Sequence, residues 1–253
     1  MLSADQIQMN QCYVTGADAR HISRVMRFSP GDRLICCDGR GRSVLAEIET
    51  LSDDEVVCKI IKPLPYTREL PVKVTIAQGL PKGDKFEWVM QKGTELGATR
   101  FIPFRAARSI VRYDGKKELT KRKRWEKIIK EAAEQAQRDV LPRLEPIVGF
   151  TDICQEDARV KLVAYEQAAL QKANLPAPFV QALNKLNQGD QLLVVIGPEG
   201  GLTPEEVGEL QAHGFQTISL GKRILRTETA AQYVLAAVSF YFEQLGGSAK
   251  WPQ

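Results

Sequence analysis

One stretch of the sequence decides the fold class of the C-terminal part: Ile196-Gly197-Pro198-Glu199-Gly200-Gly201-Leu202-Thr203-Pro204-Glu205-Glu206. The apolar run at 192–196 predicts a buried strand at 191–196, and the three glycines after it predict a tight turn. A helix is expected to begin after Thr203, because Thr203 and Glu206 can form a capping box and Pro204 suits the first helical position. Open α/β sheets bind ligands where a strand ends in this way.

The glycine pattern also limits the kind of ligand. It matches neither G-x-G-x-x-G nor G-x-x-x-x-G-K-[ST], so it is neither a dinucleotide fingerprint nor a phosphate-binding P-loop. Glu205 and Glu206 at the start of the helix would in addition repel a phosphate. A tight turn that binds no ligand is the alternative interpretation.

A second strand end of the same kind follows in the sequence: Leu220-Gly221-Lys222-Arg223-Ile224-Leu225-Arg226-Thr227-Glu228-Thr229-Ala230. Thr229 and Gln232 predict a capping box for the last helix. Two such strand ends in succession predict one shared pocket. Arg226 and Glu228 are candidates for chemistry in that pocket, and a simple surface ion pair is the alternative.

A third strand-to-helix turn, Gln78-Gly79-Leu80-Pro81-Lys82-Gly83-Asp84-Lys85, carries two lysines. It either binds an anionic nucleic-acid backbone or only caps the helix.

Strands and helices are predicted to alternate along the C-terminal part. The predicted strands are 72–78, 100–104, 160–165, 191–196 and 216–220, and the predicted helices are 84–96, 119–138, 179–186, 204–213 and 230–245. This alternation predicts an α/β domain with a mostly parallel sheet.

The first seventy residues have a different pattern. Short strands are predicted at 11–15, 33–37, 44–50 and 56–61, with one helix at 17–26, which favours a small β-barrel. Two prolines in the segment 62–66 cannot continue a strand ladder, so this segment is the predicted linker. We therefore expect one domain at 1–70 and a second at 71–253.

The composition excludes several classes of protein. With 253 residues, 43% hydrophobic and 26% charged, the chain has the balance of a globular protein. Its apolar runs are too short for a membrane span, and residues 1–10 do not resemble a signal peptide, so a cytoplasmic protein is expected. Five cysteines without a C-x-x-C pair predict buried, reduced thiols. His21 and His213 lie far apart, which argues against a metal site and a Ser-His-Asp triad.

Positive charge is concentrated in two segments. The net charge is only +4, but residues 20–42 hold six arginines against two acids, and residues 116–130 hold eight basic residues against two acids. Residues 151–210, by contrast, hold four basic and nine acidic residues. Such asymmetry indicates a face that meets a polyanion, and nucleic acid is the favoured partner. A solvated helix face is the alternative, above all for the run at 121–124.

Taken together, these motifs resemble a known family. The two glycine-containing strand ends are similar to the cofactor-binding pair of the SPOUT methyltransferases, and specifically of the branch that methylates N3 of a uridine in small-subunit ribosomal RNA. The stretch His21-Ile-x-x-Val-Met-Arg with Gly31-Asp resembles that branch's N-terminal PUA-like barrel. Further similarity lies in Lys85-x-Glu-x-x-x-Gln-Lys-Gly-Thr-Glu-Leu-Gly, in Arg108-Ser109 and in Glu134-Gln-Ala-Gln-Arg138, so the resemblance covers almost the whole chain.

The resemblance implies a fold, a cofactor and partners. The fold is a PUA-like RNA-binding β-barrel followed by an α/β domain tied in a trefoil knot, which general topology rules would reject. S-adenosylmethionine is the implied cofactor, and no metal is expected. The implied partners are small-subunit ribosomal RNA or the assembled subunit, and a second copy of the chain in a homodimer whose pocket spans the interface. The implied cofactor-binding residues are Ile196, Gly197, Pro198, Glu199, Gly200, Gly201, Leu220, Gly221, Ile224, Leu225, Thr229 and Ala230.

For the chemistry, Arg226 is expected to stabilise the anion that develops on the base, because a guanidinium stays charged and offers several donors. Glu228 is a possible acceptor for the N3 proton or orients Arg226 instead. The residues expected to contact RNA are Arg20, His21, Arg24, Arg27, Lys82, Lys85, Arg108, Lys121, Lys123 and Arg138. Two alternatives remain open: a SPOUT methyltransferase acting on another RNA position, and a non-catalytic RNA-binding assembly factor.

Overall fold

A computed structural model describes residues 1–65, 67–111, 113, 115–166 and 177–246. The chain divides into two compact units. The first comprises Met1–Glu69 with Ala133–Leu141, and the second comprises Leu70–Ala132 with Pro142–Gln253. The first unit thus takes in a short segment from the middle of the sequence, and the sequence pattern contains no sign of it.

The first unit contains an antiparallel sheet of four strands in the order β1-β4-β3-β2. Two register shifts interrupt the pairing of the third and fourth strands, and such bulges bend and twist a sheet so that it curls. Alternate residues of the strands face a small apolar core, which includes Val14, Val44 and Val56. The strands are β1 (Gln11–Thr15), β2 (Arg33–Cys37), β3 (Ser43–Leu51) and β4 (Glu55–Pro63). The small β-barrel expected from the sequence is thus present as a curled antiparallel sheet of four strands, a half-barrel.

A short helix follows β1 in this unit. It comprises α1 (Ala17–Arg20) and a wider helical turn at His21–Val25. Ala19 and Ile22 are buried against the sheet, whereas Arg20, His21, Arg24 and Arg27 are exposed. The helix predicted at 17–26 is therefore present, with a change of winding at His21.

The segment predicted as a linker begins inside the sheet. Strand β4 extends to Pro63, which pairs with Val44 of β3. The pairing of β4 with β1 ends at Lys59, so Pro63 has an open side where its missing N–H is not needed. The prediction was thus wrong for Lys62 and Pro63, and Tyr66 lies outside the described residues.

The segment Ala133–Leu141 joins the first unit through buried polar groups. Asp139 is 1% exposed and accepts hydrogen bonds from the hydroxyl of Ser43 and the backbone N–H of Arg68. Its own carbonyl accepts from the N–H of Gly41 at 3.1 Å. Arg138 is 2% exposed and forms an ion pair with Glu69. A buried charge needs such partners, so these contacts fix the segment in place.

The second unit is built on a parallel sheet in the order β11-β9-β10-β5-β6-β7, with β8 also pairing with β6. Two apolar clusters, one with Ile76 and Phe101 and one with Ile102 and Leu193, form its core. The strands are β5 (Lys73–Gly79), β6 (Ala98–Arg105), β7 (Arg143–Leu144), β8 (Val148–Gly149), β9 (Val160–Ala164), β10 (Gln191–Ile196) and β11 (Gln216–Ile218). The predicted α/β class with a parallel sheet is confirmed.

Helices connect these strands: α2 (Lys85–Glu95), α3 (Gly115–Gln135), α4 (Phe150–Gln155), α5 (Pro178–Leu183), α6 (Pro204–Ala212) and α7 (Thr227–Ser239), the last followed by a wider turn at Phe240–Gln244. Helix α7 begins at Thr227 with Arg226 at its N-cap, so the capping box predicted from Thr229 and Gln232 is wrong. The passage of the chain through itself in a trefoil knot stays a prediction.

Cys12, Cys36, Cys37, Cys58 and Cys154 are buried and free, as the sequence predicts for reduced thiols. Across the described ranges, no helix has the length and apolar character that a membrane crossing requires.

Candidate functional site

The first component of the site is the glycine turn, residues 197–203, at the carboxyl end of β10. The predicted capping box is present: Glu206 N–H donates to Thr203 Oγ1 at 3.2 Å, and Thr203 N–H donates to Glu206 Oε2 at 2.8 Å. The other oxygen of Glu206 accepts from the N–H of Ala107, just beyond β6, at 2.7 Å. The buried Glu206 carboxylate therefore holds the turn to the neighbouring strand end.

The turn packs so tightly that a glycine is required at its start. A Cβ on Gly197 would lie 2.9 Å from Leu202 N and 3.0 Å from Gly201 C. Gly79 at the end of β5 is equally confined, because its Cβ would lie 2.6 Å from the ring of Pro198. Glycine here allows backbone to approach backbone.

The second component is the arginine loop, residues 219–226, between β11 and α7. Gly221 has a φ of 102°, and a Cβ added to it would meet no atom within 4 Å, so this glycine serves the backbone conformation rather than packing. Leu220 and Leu225 are half-buried against the core, whereas the side chains of Lys222, Arg223 and Arg226 are exposed. The loop thus combines an apolar lining with cationic side chains.

Direct contacts join the two components. The hydroxyl of Thr227 donates to the carbonyl of Gly197 at 2.6 Å. The carboxamide of Gln78, in β5, donates to Thr227 Oγ1 at 2.7 Å and to the Gly197 carbonyl at 3.2 Å. The two strand ends that the sequence predicted to share a pocket are therefore brought together at Gly197 and Thr227.

Glu199 ties the glycine turn to the third turn, between β5 and α2. Its carboxylate accepts from the Lys85 ammonium at 2.6 Å and from the Lys82 N–H at 3.0 Å. Burial raises the pKa of Glu199, but the hydrogen bonds from Lys85 and from the backbone of Glu199 and Lys82 lower it by more. The net result is a pKa below the ordinary value, so this carboxylate is ionised at neutral pH.

A cavity of about 440 Å³ lies between the starts of α2 and α7. Arg226 and Glu228 both face it, and the exposed indole of Trp88 forms part of its wall. Glu228 Oε2 is buried and has no hydrogen-bond partner among the described residues, so Arg226 does not satisfy it. The cavity is lined by Asp84, Lys85, Trp88, Arg226, Glu228, Thr229 and Gln232.

The residues predicted to bind the cofactor fall into three groups. One lies on the glycine turn or directly before it: Ile196, Gly197, Pro198, Glu199, Gly200 and Gly201. Another lies in the arginine loop. There Leu220 and Leu225 are half-buried and Gly221 is exposed, and the side chain of Ile224 is 88% exposed. In the first turns of α7, Thr229 lines the cavity and Ala230 is buried.

The residues predicted to contact RNA differ in how exposed they are and in whether they already have a partner in the protein. Arg20, His21, Arg27 and Lys123 are exposed. Others already have partners: Arg24 pairs with Asp53, Lys85 with Glu199, and Lys121 with Glu87. Arg108 donates to the carbonyl of Gly200 at 2.8 Å, which places it on the glycine turn. The N–H of Lys82 contacts Glu199 as described above.

Arg138 requires a correction. Its guanidinium is 2% exposed and is paired with Glu69, so it holds the segment Ala133–Leu141 in the first unit and is not available to RNA. In the sequence, Arg138 was indistinguishable from a surface arginine at the end of a basic helix.

Sequence reasoning missed Gln78, Thr227 and Trp88 as site residues. Gln78 is a polar residue at the end of the strand predicted at 72–78, directly before Gly79, and that was the available signal. No signal of this kind marked Trp88, because an aromatic residue in an amphipathic helix usually belongs to the core. No group of His, Cys, Asp or Glu suited to a metal ion occurs in the part of the chain that the structure describes.

Comparison with known proteins gives the family of the chain. A family model described as an RNA methyltransferase domain matches residues 68–239, and one described as an RNA methyltransferase PUA domain matches residues 14–61. Ribosomal RNA small subunit methyltransferase E of Bacillus subtilis is 48% identical over 236 residues, which cover 92% of this chain and 91% of the relative.

Two solved structures are also similar. Ribosomal RNA small subunit methyltransferase E from Neisseria gonorrhoeae, bound to S-adenosylmethionine, has a TM-score of 0.79 at 28% identity, covering 92% of this chain and 93% of that one. A methyltransferase from Legionella pneumophila, in complex with the same cofactor, has a TM-score of 0.79 at 31% identity with the same coverage. The fold and the site thus define the class of RNA methyltransferases with an N-terminal PUA domain. Within that class, the chain belongs to the ribosomal RNA small subunit methyltransferase E family.

Proposed function

We propose that this protein transfers a methyl group from S-adenosylmethionine to N3 of a uridine in small-subunit ribosomal RNA, in the cytoplasm. The observation that carries the proposal is the cavity lined by both the exposed Arg226 and Glu228, one of whose carboxylate oxygens has no hydrogen-bond partner among the described residues. A cation and a proton acceptor side by side match the needs of an imide that must lose a proton before it attacks.

The residues around the glycine turn suit S-adenosylmethionine. Leu220 and Leu225 offer half-buried apolar surface beside the accessible backbone of Gly221, a combination that fits the face and the edge of an adenine ring. The carboxylates of Glu199 and Glu205 lie on or next to the glycine turn and disfavour a phosphate-bearing cofactor. They are compatible with a cofactor whose sulfonium and ammonium groups are positive.

When bound, S-adenosylmethionine supplies an electrophilic methyl group. The protein then has to hold the attacking nitrogen about 3 to 3.5 Å from that carbon. Arg226, at the N-cap of α7, would donate hydrogen bonds to the base oxygen on which negative charge develops. Glu228, which lines the same cavity, would accept the N3 proton.

RNA binding is assigned to exposed cations of both units. Arg20, His21 and Arg27 in the first unit and Lys123 in the second are exposed, and phosphate contacts need such side chains. A uridine within a structured RNA must be turned out of its stack to enter a cavity of this size. The names of the relatives support small-subunit ribosomal RNA as the substrate, and we propose that the protein acts on it as naked RNA or as part of the assembled subunit.

We also propose a homodimer whose second copy covers the exposed apolar side chains of α2, α7 and the turn after α7. Trp88, Tyr233 and Phe240 are 57%, 42% and 56% exposed, and such side chains are usually buried in an interface when they lie together. Light scattering of Tyr233→Glu would give a monomer mass if this surface forms the interface. A dimer mass unchanged by the substitution would place the interface elsewhere.

The test of the reaction is methylation of small-subunit RNA and of assembled subunits by the purified protein with labelled S-adenosylmethionine. Mass mapping of the product nucleosides is expected to give 3-methyluridine. Methylation of a ribose 2′-hydroxyl would instead support a SPOUT methyltransferase that acts on another position of the RNA. Absence of S-adenosylmethionine binding by calorimetry would support a non-catalytic RNA-binding factor.

A further inference from the structure

Gln78 occupies an unusual place for a polar side chain. It is the sixth residue of β5, pairs in register with Ile196 of β10 and is 0% exposed. Its Nε2 lies 2.7 Å from Thr227 Oγ1, 3.2 Å from the Gly197 carbonyl and 3.0 Å from the Gly79 carbonyl. One buried amide therefore contacts the ends of two strands and the first residue of α7.

The direction of these hydrogen bonds is fixed by chemistry. Carbonyl oxygens only accept, so the amide must present its nitrogen to Gly197 and Gly79. The single hydroxyl proton of Thr227 goes to the Gly197 carbonyl at 2.6 Å, and the hydroxyl oxygen accepts from Gln78. The two amide protons of Gln78 are shared among three acceptors, the Thr227 hydroxyl and the carbonyls of Gly197 and Gly79, and the Thr227 proton closes a triangle of contacts at the Gly197 carbonyl.

The other end of the amide is not satisfied. Gln78 Oε1 is buried and has no hydrogen-bond partner among the described residues. Leaving a buried acceptor without a donor is unfavourable, and native proteins rarely do so without a reason. A residue selected only for stability would not be expected to carry this penalty at a buried strand end.

We propose that Gln78 is a positioning residue for methyl transfer, and the inference rests on the function proposed above. Through Thr227, it sets the distance between the glycine turn, which is assigned to the cofactor, and the start of α7, which carries Arg226 and Glu228 on either side of Thr227. The amide and the hydroxyl act as one unit. They do not touch the reacting atoms themselves.

The expected effect follows from the demands of the reaction. Displacement of a reacting group by about 1 Å can lower a rate by about 10²-fold. Loss of either member of the triangle is therefore expected to lower the single-turnover rate by about 10- to 100-fold. Binding of S-adenosylmethionine alone does not require Arg226 to be aligned, so its Kd should change by much less.

Thr227 offers a matched pair of variants. Thr227→Val keeps the shape but removes the hydroxyl, whereas Thr227→Ser keeps the hydroxyl and removes the methyl group. The proposal expects Thr227→Val to lose 10- to 100-fold in single-turnover rate at saturating cofactor and RNA, and Thr227→Ser to stay within about threefold of the unmodified protein. A packing role expects the reverse order, and that result would overturn the proposal.

Gln78→Met is the second variant. It removes the unpaired oxygen, which favours stability, and also the amide donor to the Gly197 and Gly79 carbonyls, which opposes it, so a folded variant with a small change in Tm is expected, while its rate falls as far as that of Thr227→Val. The double variant should be no slower than the slower single variant, because both remove the same unit. A rate within threefold of the unmodified protein in a folded Gln78→Met variant would overturn the proposal.

The two hypotheses fail in different ways. If the unmodified protein binds S-adenosylmethionine but methylates no RNA, the function proposed above is wrong. If the unmodified protein is active and both Gln78→Met and Thr227→Val keep that activity, only the positioning role is wrong.

Discussion

The glycine turn and the arginine loop look alike in the sequence and differ in the structure. The glycine turn is held by Glu206 to Ala107, by Glu199 to Lys85 and by its own backbone packing. In the arginine loop, Lys222 and Arg223 are exposed and Gly221 has open space around it. The difference teaches that a glycine after a strand serves one of two purposes: close approach of backbone, or a left-handed φ.

The largest effect is expected where the packing is tightest. Gly197→Ala places a Cβ 2.9 Å from Leu202 N, and backbone cannot move aside as a flexible side chain can. We expect a loss of about 1–3 kcal/mol in stability and loss of detectable S-adenosylmethionine binding in calorimetry. Gly221→Ala meets no atom but is strained at a φ of 102°, so we expect only partial weakening. Equal S-adenosylmethionine affinities for the two variants would contradict the view that Gly197 is needed for close packing and Gly221 only for its backbone conformation.

The second-largest effect is expected in the arginine loop, whose cationic side chains are exposed. Arg226→Ala is expected to lower the single-turnover rate by about 10² or more, because the developing charge on the base loses its donor. S-adenosylmethionine affinity should not change, since the glycine turn is untouched. Arg223→Ala, in the same loop and also exposed, is the matched control with an unchanged rate. Equal rates for Arg226→Ala and the unmodified protein would remove Arg226 from the mechanism.

Local features of both regions could be predicted from the sequence, and non-local ones could not. The cap formed by Thr203 and Glu206 depends on residues three apart, and the structure confirms it. The start of α7 was placed too late, because the contact that fixes it joins Thr227 to Gly197, 30 residues away in the chain. The burial of Arg138 against Glu69 spans 69 residues and has no local signature. Sequence patterns thus located the two loops but not the contacts that connect them.

The distinction between held and exposed side chains also applies to RNA binding. Arg20 and Arg27 are exposed, whereas Lys121 contacts Glu87. Charge reversal at both arginines is expected to lower the slope of log affinity against log salt by roughly 0.7 to 0.9 per lost contact. Titrations at several salt concentrations measure this slope.

The control for RNA binding is Lys185→Glu, an exposed lysine outside both basic segments, which should leave the slope unchanged. S-adenosylmethionine affinity should be unaltered in each variant. If the Arg20→Glu, Arg27→Glu double variant has the slope of the control, the basic segment at 20–42 is ordinary surface charge and not a binding site.

The smallest effect is expected at the Lys85–Glu199 ion pair, one of several contacts that hold the glycine turn. The two side chains are 38% and 32% exposed, so solvent screens the pair and its coupling should stay below about 1 kcal/mol. A double-mutant cycle with Lys85→Met and Glu199→Gln measures this coupling in urea unfolding.

Because the pKa of Glu199 is lowered in the folded protein, the stability that the ion pair contributes is present above the unfolded pKa of about 4.3 and is lost as the pH falls through the lower folded pKa. The coupling should therefore disappear in acid. Lys85→Met, which leaves the Glu199 carboxylate in place, should change S-adenosylmethionine affinity at neutral pH by less than about threefold, because Glu206 and the backbone packing still hold the turn. A loss of cofactor affinity as large as that of Gly197→Ala would show that the ion pair, and not the backbone, makes the turn rigid.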